Sequence, residues 1–451
     1  MISNFKDITH QLWMEGSKEA QTVIDKLEYL KDIFQNNYSN GYNPFFFCNK
    51  NILNSNLVFG SKDPKDIFKD SNRMLYDDFN SYYKFNTVLK DLLDNTKLHA
   101  YIDYPELKNS VTRLFATYVS PELKRRYSEN PKMKIPVHIF FHPSGNGYIA
   151  ENQKDYYHQD GFVHNDFRDL ARRYLFEDHK LVFQHRYAIK HDKHLKEPFN
   201  IPSLLIFPVF CQSAYNSFPT HERAKVKKKI GFFSIIKELV KHLFQSKSSD
   251  KIGYMALSGY SEGNKMIKRS ILLARNDYLT KKVDTGTELI KALFFFDPAD
   301  NFGLDPKLLD EWLNIEPKQR KSYKLYAAKR GKFRSEINSQ IKNKHLLHDY
   351  VEADLKSFND KDKLPIDLES IFPEDDYITK LIKKTTKYQR LINPFEFYSE
   401  DMRRYYFIFP SQSFQVHLRN TINVGGINLG FGHAFFHRHF VTHALAHSDF
   451  P

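Results

Sequence analysis

Only two cysteines, Cys48 and Cys211, occur among 451 residues. Two thiols supply neither the disulfide framework of a small secreted domain nor a thiolate zinc site, and their scarcity fits a reducing compartment. Glycine and proline are also sparse, at 17 and 19 residues, and they gather into no collagen-like or linker-like tract. Long apolar runs are missing as well: no window approaches the roughly 18 uninterrupted apolar residues that suggest a transmembrane helix. The first thirty residues contain no basic segment followed by an apolar stretch, which is the pattern of a cleavable leader. A cytoplasmic protein is expected, with export by a non-classical route left open.

What the chain does contain is apolar and aromatic surface, 41% and 15% of its residues, enough for a substantial globular core. Its formal net charge of +13 raises the question of an acidic partner, either an anionic membrane surface or nucleic acid, the latter less favoured. The excess is spread widely. Its densest run, Arg223 to Lys229, leads into a segment in which Phe233, Ile236, Val240 and Leu243 recur at helical spacing. A helix over 222–245, docked by that stripe with its lysines in water, is the expected outcome.

Residues 1–105 read mainly as helix and loop, and an N-terminal extension or cap is expected there. From about residue 110 the texture changes. Short strand-like runs at 135–145, 202–210, 251–263, 291–300, 322–331 and 403–411 alternate with helical ones. Such alternation predicts an α/β fold, a mostly parallel sheet flanked by helices, occupying 106–451. The charged stretch 332–400 interrupts the rhythm and is expected to be an insertion, mostly helical. In sheets of this kind ligands bind where strands end and loops begin.

One strand end carries a chemical pattern. "YMALSGYSEGNKMI" puts Ser261 between Gly259 and Gly263, behind an apolar strand and ahead of a predicted helix. A serine hydroxyl is a poor nucleophile at neutral pH, so Ser261 would need a base to take its proton and an acid to orient that base. The glycines permit the close approach that a sharp strand-to-helix turn demands. A glycine-rich turn without chemistry is the competing explanation.

Strands, turn and order together resemble the α/β-hydrolase superfamily over roughly residues 110–451. The resemblance implies that Ser261 is the nucleophile and that the backbone N–H of Glu262 is one oxyanion donor. In that family a second donor comes from the loop after an earlier strand, and "FFHPSGNG" stands at the matching place. Because Pro143 has no N–H, Ser144 is the implied donor. The strand over 322–331 ends in Lys329, Arg330 and Lys332 rather than in an acid. The "FFFDPAD" run one strand earlier is similar to the Asp-Pro versions in lipases and chlorophyllases, with platelet-activating-factor acetylhydrolases also placing the acid there. Asp297 is therefore the implied acid, with Asp300 as its alternative. The implied base is His433, which follows a glycine-rich loop just before the last helix, and His417 is its rival.

His433 and His437, and likewise His439, His443 and His447, are spaced four apart, as metal-binding histidines on a helix can be. No HExxH pattern, cysteine or neighbouring carboxylate completes a site, so structural histidines are expected and no metal or organic cofactor is implied. The function expected is a serine hydrolase acting on a small-molecule or lipid ester through an acyl-enzyme. A non-catalytic scaffold that binds a polyanion, and an acyltransferase using the same residues, are the alternatives. Nothing in the sequence points to an oligomeric state.

Overall fold

A computed structural model of the chain describes residues 4–14, 22–39, 82–102, 111–143, 161–177, 179–190, 199–211, 218, 220–222, 229–246, 251–282, 284–298, 306–316, 319–328, 388–390, 396–399, 403–409, 422–424, 427–429, 435–446 and 448–451. Strand β1 (Phe5–Asp7) is followed by helices α1 (Val23–Ser39) and α2 (Tyr82–Asn95). Then come β2 (Thr96–Ile102), β3 (Val111–Val119), α3 (Pro121–Glu129) and β4 (Ile135–Phe141). Helices α4 (Asn165–Leu175) and α5 (Leu181–Arg186) precede the short β5 (Ile189–Lys190) and β6 (Phe199–Asn200), then β7 (Leu204–Val209). Next are β8 (Thr220–Glu222), β9 (Lys229–Gly231), α6 (Phe232–Leu243), β10 (Ile252–Tyr260) and α7 (Asn264–Leu279). The chain continues through β11 (Ile290–Phe296), α8 (Pro306–Asn314), β12 (Ser322–Ala328), β13 (Tyr388–Arg390), β14 (Glu396–Ser399) and β15 (Arg404–Phe409). It closes with β16 (Ile422–Val424), β17 (Ile427–Leu429) and α9 (Phe435–Ala446).

Eleven strands form one sheet in the order β1-β2-β3-β7-β4-β10-β11-β12-β15-β14-β13. From β7 to β15 every neighbouring pair is parallel, and the strands outside that block are antiparallel. Strands of the parallel block must be apolar on both faces, because helices cover both. The sequences IPVHIFF in β4 and LLIFPV in β7 meet that demand apart from His138, and every residue of both is buried.

Alternation along β4 separates the two helical layers. His138 stacks on His185 of α5 and Phe140 meets Tyr174 of α4, whereas Phe141 meets Phe232 of α6. Helix α9 lies with α4 and α5, its Phe440 against Tyr326. Helices α7 and α8 pack together. This is the expected α/β arrangement, and its strand order, with one antiparallel strand beside β7 and β7 lying outside β4, is that of the α/β-hydrolase fold.

Three details differ from the sequence-based expectation in extent. The helix expected over 222–245 begins at Phe232, because Thr220–Glu222 and Lys229–Gly231 pair as an antiparallel ribbon and Gly231 carries extended angles into the helix. Its apolar stripe is docked as expected, with Phe233, Ile236 and Val240 buried. Residues 1–105 contribute α1 and α2 but also β1 and β2, which belong to the main sheet, and β2 pairs with β3 across the expected 105/106 boundary. Within 332–400 the described residues are β13 and β14, which extend the sheet edge. Among the described residues no helix is long and apolar enough to cross a membrane.

Candidate active site at the end of β10

The chain runs from β4 outward to β7, then returns past β4 to β10 and proceeds through β11, β12 and β15. The order therefore reverses between β4 and β10. Outside the carboxyl ends of strands at such a reversal lies the crevice where open α/β sheets bind ligands. Gly259 of β10 pairs with Phe141 of β4, and Tyr260 pairs with Phe296 of β11, so three strands end level with one another at this place. Ser261, His142 and Asp297 are the residues that follow.

Ser261 has a left-handed backbone, φ 51°, and is buried with 9% of its surface exposed. A non-glycine residue in that region costs on the order of 1–3 kcal/mol and persists only where its surroundings over-determine it. They do so here. Ser261–Gly263 forms a single 3-10 turn that runs straight into α7, reversing the chain within three residues of the strand. A Cβ on Gly259 would stand 2.8 Å from the Asn264 nitrogen, and one on Gly263 would collide with the Phe141 carbonyl. Both glycines are thus required by the packing of the turn against its own helix and against β4. Glu262 occupies the turn itself and its half-buried carboxylate pairs with Lys265 at 3.3 Å. Its N–H belongs to the first turn, where helical N–H groups lack intrahelical partners and can meet an anion.

Asp297 is fully buried and also left-handed, φ 40°, with its N–H donating to the Tyr326 carbonyl of β12 at 2.7 Å. Aspartate tolerates this conformation better than most residues. Next to it, the side chain of Asn264 donates to the carbonyls of Ser261, 2.8 Å, and Phe296, 3.3 Å.

On the other side of the turn, His142 fixes the start of the loop after β4. Its Nδ1 donates to the Pro143 carbonyl at 2.6 Å and its Nε2 accepts from the Phe210 N–H at 3.0 Å. One ring nitrogen donates and the other accepts, so the imidazole is neutral, and burial holds its pKa down at about 4. The sequence pattern assigned no role to His142 or Asn264; Asn264 directly follows Gly263 of the turn, and that adjacency was the available signal for it.

Ser261, Glu262 and Asp297 are thus gathered at the ends of two adjacent strands. Ser144, Asp300, His417 and His433 lie outside the described residues. Of the C-terminal histidines, His443 is buried in α9 and its Nδ1 is 2.7 Å from the Tyr326 hydroxyl, a contact that joins the last helix to β12. Among the described residues no group of three His, Cys, Asp or Glu side chains could hold a metal ion.

No family model and no curated protein sequence matches the chain. Solved structures give faint likenesses. An S-formylglutathione hydrolase from Agrobacterium tumefaciens is 11% identical, over 52% of this chain and 75% of that one, with a TM-score of 0.27. The fluorophosphonate-binding serine hydrolase F of Staphylococcus aureus is 12% identical, over 50% and 77%, with a TM-score of 0.26. An S-formylglutathione hydrolase from Staphylococcus aureus is 12% identical, over 53% and 80%, with a TM-score of 0.23. Likenesses of this strength carry no weight about activity, and the fold rests on the strand order.

Proposed function

We propose that the protein is a serine hydrolase that cleaves a carboxylic ester, of a small molecule or a lipid, through an acyl-enzyme. The observation that supports this most is the left-handed Ser261 at the strand-to-helix turn beside the sheet's reversal point. A chain that only needed to turn there could use glycine, which takes φ above zero without strain. A buried serine held in that conformation, with a second left-handed residue, Asp297, at the end of the neighbouring strand, fits a nucleophile and its distant acid.

In this reading His433 accepts the Ser261 proton as Oγ attacks the ester carbonyl, and Asp297 orients the imidazole and offsets its charge. The N–H groups of Glu262 and Ser144 hold the resulting oxyanion. Collapse expels the alcohol, which takes the proton from His433. Water, deprotonated by His433, then attacks the acyl carbon and releases the acid and free Ser261. An alcohol in place of that water would make the same centre an acyltransferase.

A fluorophosphonate probe tests the reading. Labelling of the purified protein that disappears in Ser261→Ala, with hydrolysis of nitrophenyl esters lost in parallel, is the expected result. Labelling that survives Ser261→Ala, or its absence in the unaltered protein together with no turnover of short- or long-chain esters, would overturn it.

A further inference from the structure

Asn264 occupies the first position of α7 and is fully buried. Its amide nitrogen donates to the carbonyl of Ser261 at 2.8 Å and to that of Phe296 at 3.3 Å. The amide orientation follows from the partners, since the reverse assignment would set Oδ1 against two carbonyl oxygens. Oδ1 itself has no partner among the described residues.

These two carbonyls are not ordinary acceptors. One belongs to the residue carrying the nucleophilic hydroxyl; the other belongs to the peptide that leads into Asp297. The ladder between β10 and β11 ends at the Tyr260–Phe296 pair, because the chain leaves the sheet at Ser261. The Asn264 amide meets the Phe296 carbonyl where β10 has turned away, and the same peptide is held at its other end by the Asp297 N–H bond to Tyr326, 2.7 Å. One side chain therefore spans the turn bearing Ser261 and the strand end bearing Asp297.

We propose that Asn264 is a positioning residue of the Ser261 centre, its amide setting the separation between the Ser261 turn and the Asp297 strand end. The inference rests on the serine-hydrolase reading and deepens it. Displacements near 1 Å at a reacting centre can cost about 100-fold in rate, and loss of a clamp acts through the chemical step rather than through substrate binding.

The test measures nitrophenyl-ester kinetics, fluorophosphonate labelling rates and thermal midpoints on the full chain. Variants are Asn264→Asp, which is nearly isosteric but puts oxygen where the donor stood, Asn264→Ala, and Asn264→Ser, which keeps a shorter donor. Expected are kcat values lowered about 10- to 100-fold for Asp and Ala with KM within about twofold, and a smaller loss for Ser. In an Asp297→Asn background the Asn264→Ala penalty on labelling should shrink, because residues acting as a unit are not additive. A purely structural asparagine would lower the thermal midpoint while leaving kcat of the folded protein and additivity untouched, and that result overturns the inference alone. Where Asn264→Ala does not fold, Asn264→Ser decides: kcat lowered at constant KM supports the clamp, and unchanged kcat overturns it. If the unaltered protein neither labels at Ser261 nor turns over ester, the serine-hydrolase reading itself fails and the inference falls with it.

Discussion

Ser261 and Asp297 stand one residue beyond the paired Tyr260 and Phe296, at the ends of adjacent parallel strands, and both have left-handed backbones, φ 51° and 40°. Two strained non-glycine residues at matching places cost the fold about 1–3 kcal/mol each, a cost that the surrounding packing must offset. In the proposed reaction one presents the hydroxyl and the other the carboxylate.

Replacing Asp297 by Asn keeps the size and the tolerance for φ above zero, removes the charge and exchanges one acceptor oxygen for an N–H donor. In the proposed reaction, loss of the carboxylate assigned to orient the base should lower kcat by about 1,000- to 10,000-fold with the fold retained. Steady-state kinetics and circular dichroism on the variant check this. A loss under about threefold in a folded variant would remove Asp297 from the acid's role.

The base is tested by pairing two alanine variants. His433→Ala should abolish ester turnover and slow fluorophosphonate labelling of Ser261, whereas His417→Ala should leave both near the original level. The reverse pattern would move the base to His417. His443 serves as an internal control, because it is buried against Tyr326 and joins α9 to β12. Tyr326→Phe should cost about 1 kcal/mol of stability for the lost hydrogen bond, while labelling of the folded protein persists.

Gly263→Ala tests the packing of the elbow. A methyl group there collides with the Phe141 carbonyl of β4, a backbone atom that cannot rotate away. Overpacking of this kind costs about 1–3 kcal/mol, read as a lower urea midpoint with an unchanged slope. A midpoint equal to that of the unaltered protein would mean that the turn does not rest on β4.

Legibility in the sequence followed the physics of each element. The parallel strands were visible because burial on both faces forces nearly continuous apolar runs such as "LLIF" and "LFFF". Ser261 was visible because a tight strand-to-helix turn demands small residues at 259 and 263, and that demand leaves a local pattern. The membership of β1 in the main sheet was hidden, since its pairing of Phe5 with Tyr101 joins residues far apart in sequence and imposes no spacing. The clamp formed by Asn264 was hidden for the same reason: its second acceptor, Phe296, belongs to another strand. His138 and Ser258 are polar residues inside core strands, and only the three-dimensional arrangement gives them partners.

Those partners form a buried chain: Ser258 Oγ to His138 Nε2, His138 Nδ1 to His185 Nε2 at 2.8 Å, and His185 Nδ1 to Ser203 Oγ at 2.8 Å. Each ring has two partners and the chain can be satisfied with both imidazoles neutral, every donor running in one direction. Around it lie Phe140 and Phe294, and Arg186, which follows His185 in α5, is paired with Asp91 at 3.5 Å. Burial depresses both histidines, His185 to about 3 and His138 well below its ordinary value, with their mutual repulsion adding to the effect on His138. In the unfolded chain each titrates near 6.5. Below that pH the unfolded state binds protons that the folded state does not, so stability is full above about 6.5 and falls as the pH drops toward the depressed values. His142 and His99, each held down to about 4 by burial, act in the same sense. Each histidine that stays neutral in the folded protein adds to that decline in the same direction. Urea midpoints should therefore decline steadily from pH 6.5 to pH 5; Glu122, raised by partial burial but held below its ordinary value on balance by its hydrogen bonds to Arg125 and Arg126, adds to the loss as the pH falls further into the carboxylate range. His185→Gln, which removes one of the titrating groups, should make that decline shallower while lowering the midpoint at pH 7. A stability that is flat or rising as the pH falls from 6.5 to 5 would show that the chain is already protonated in the folded protein.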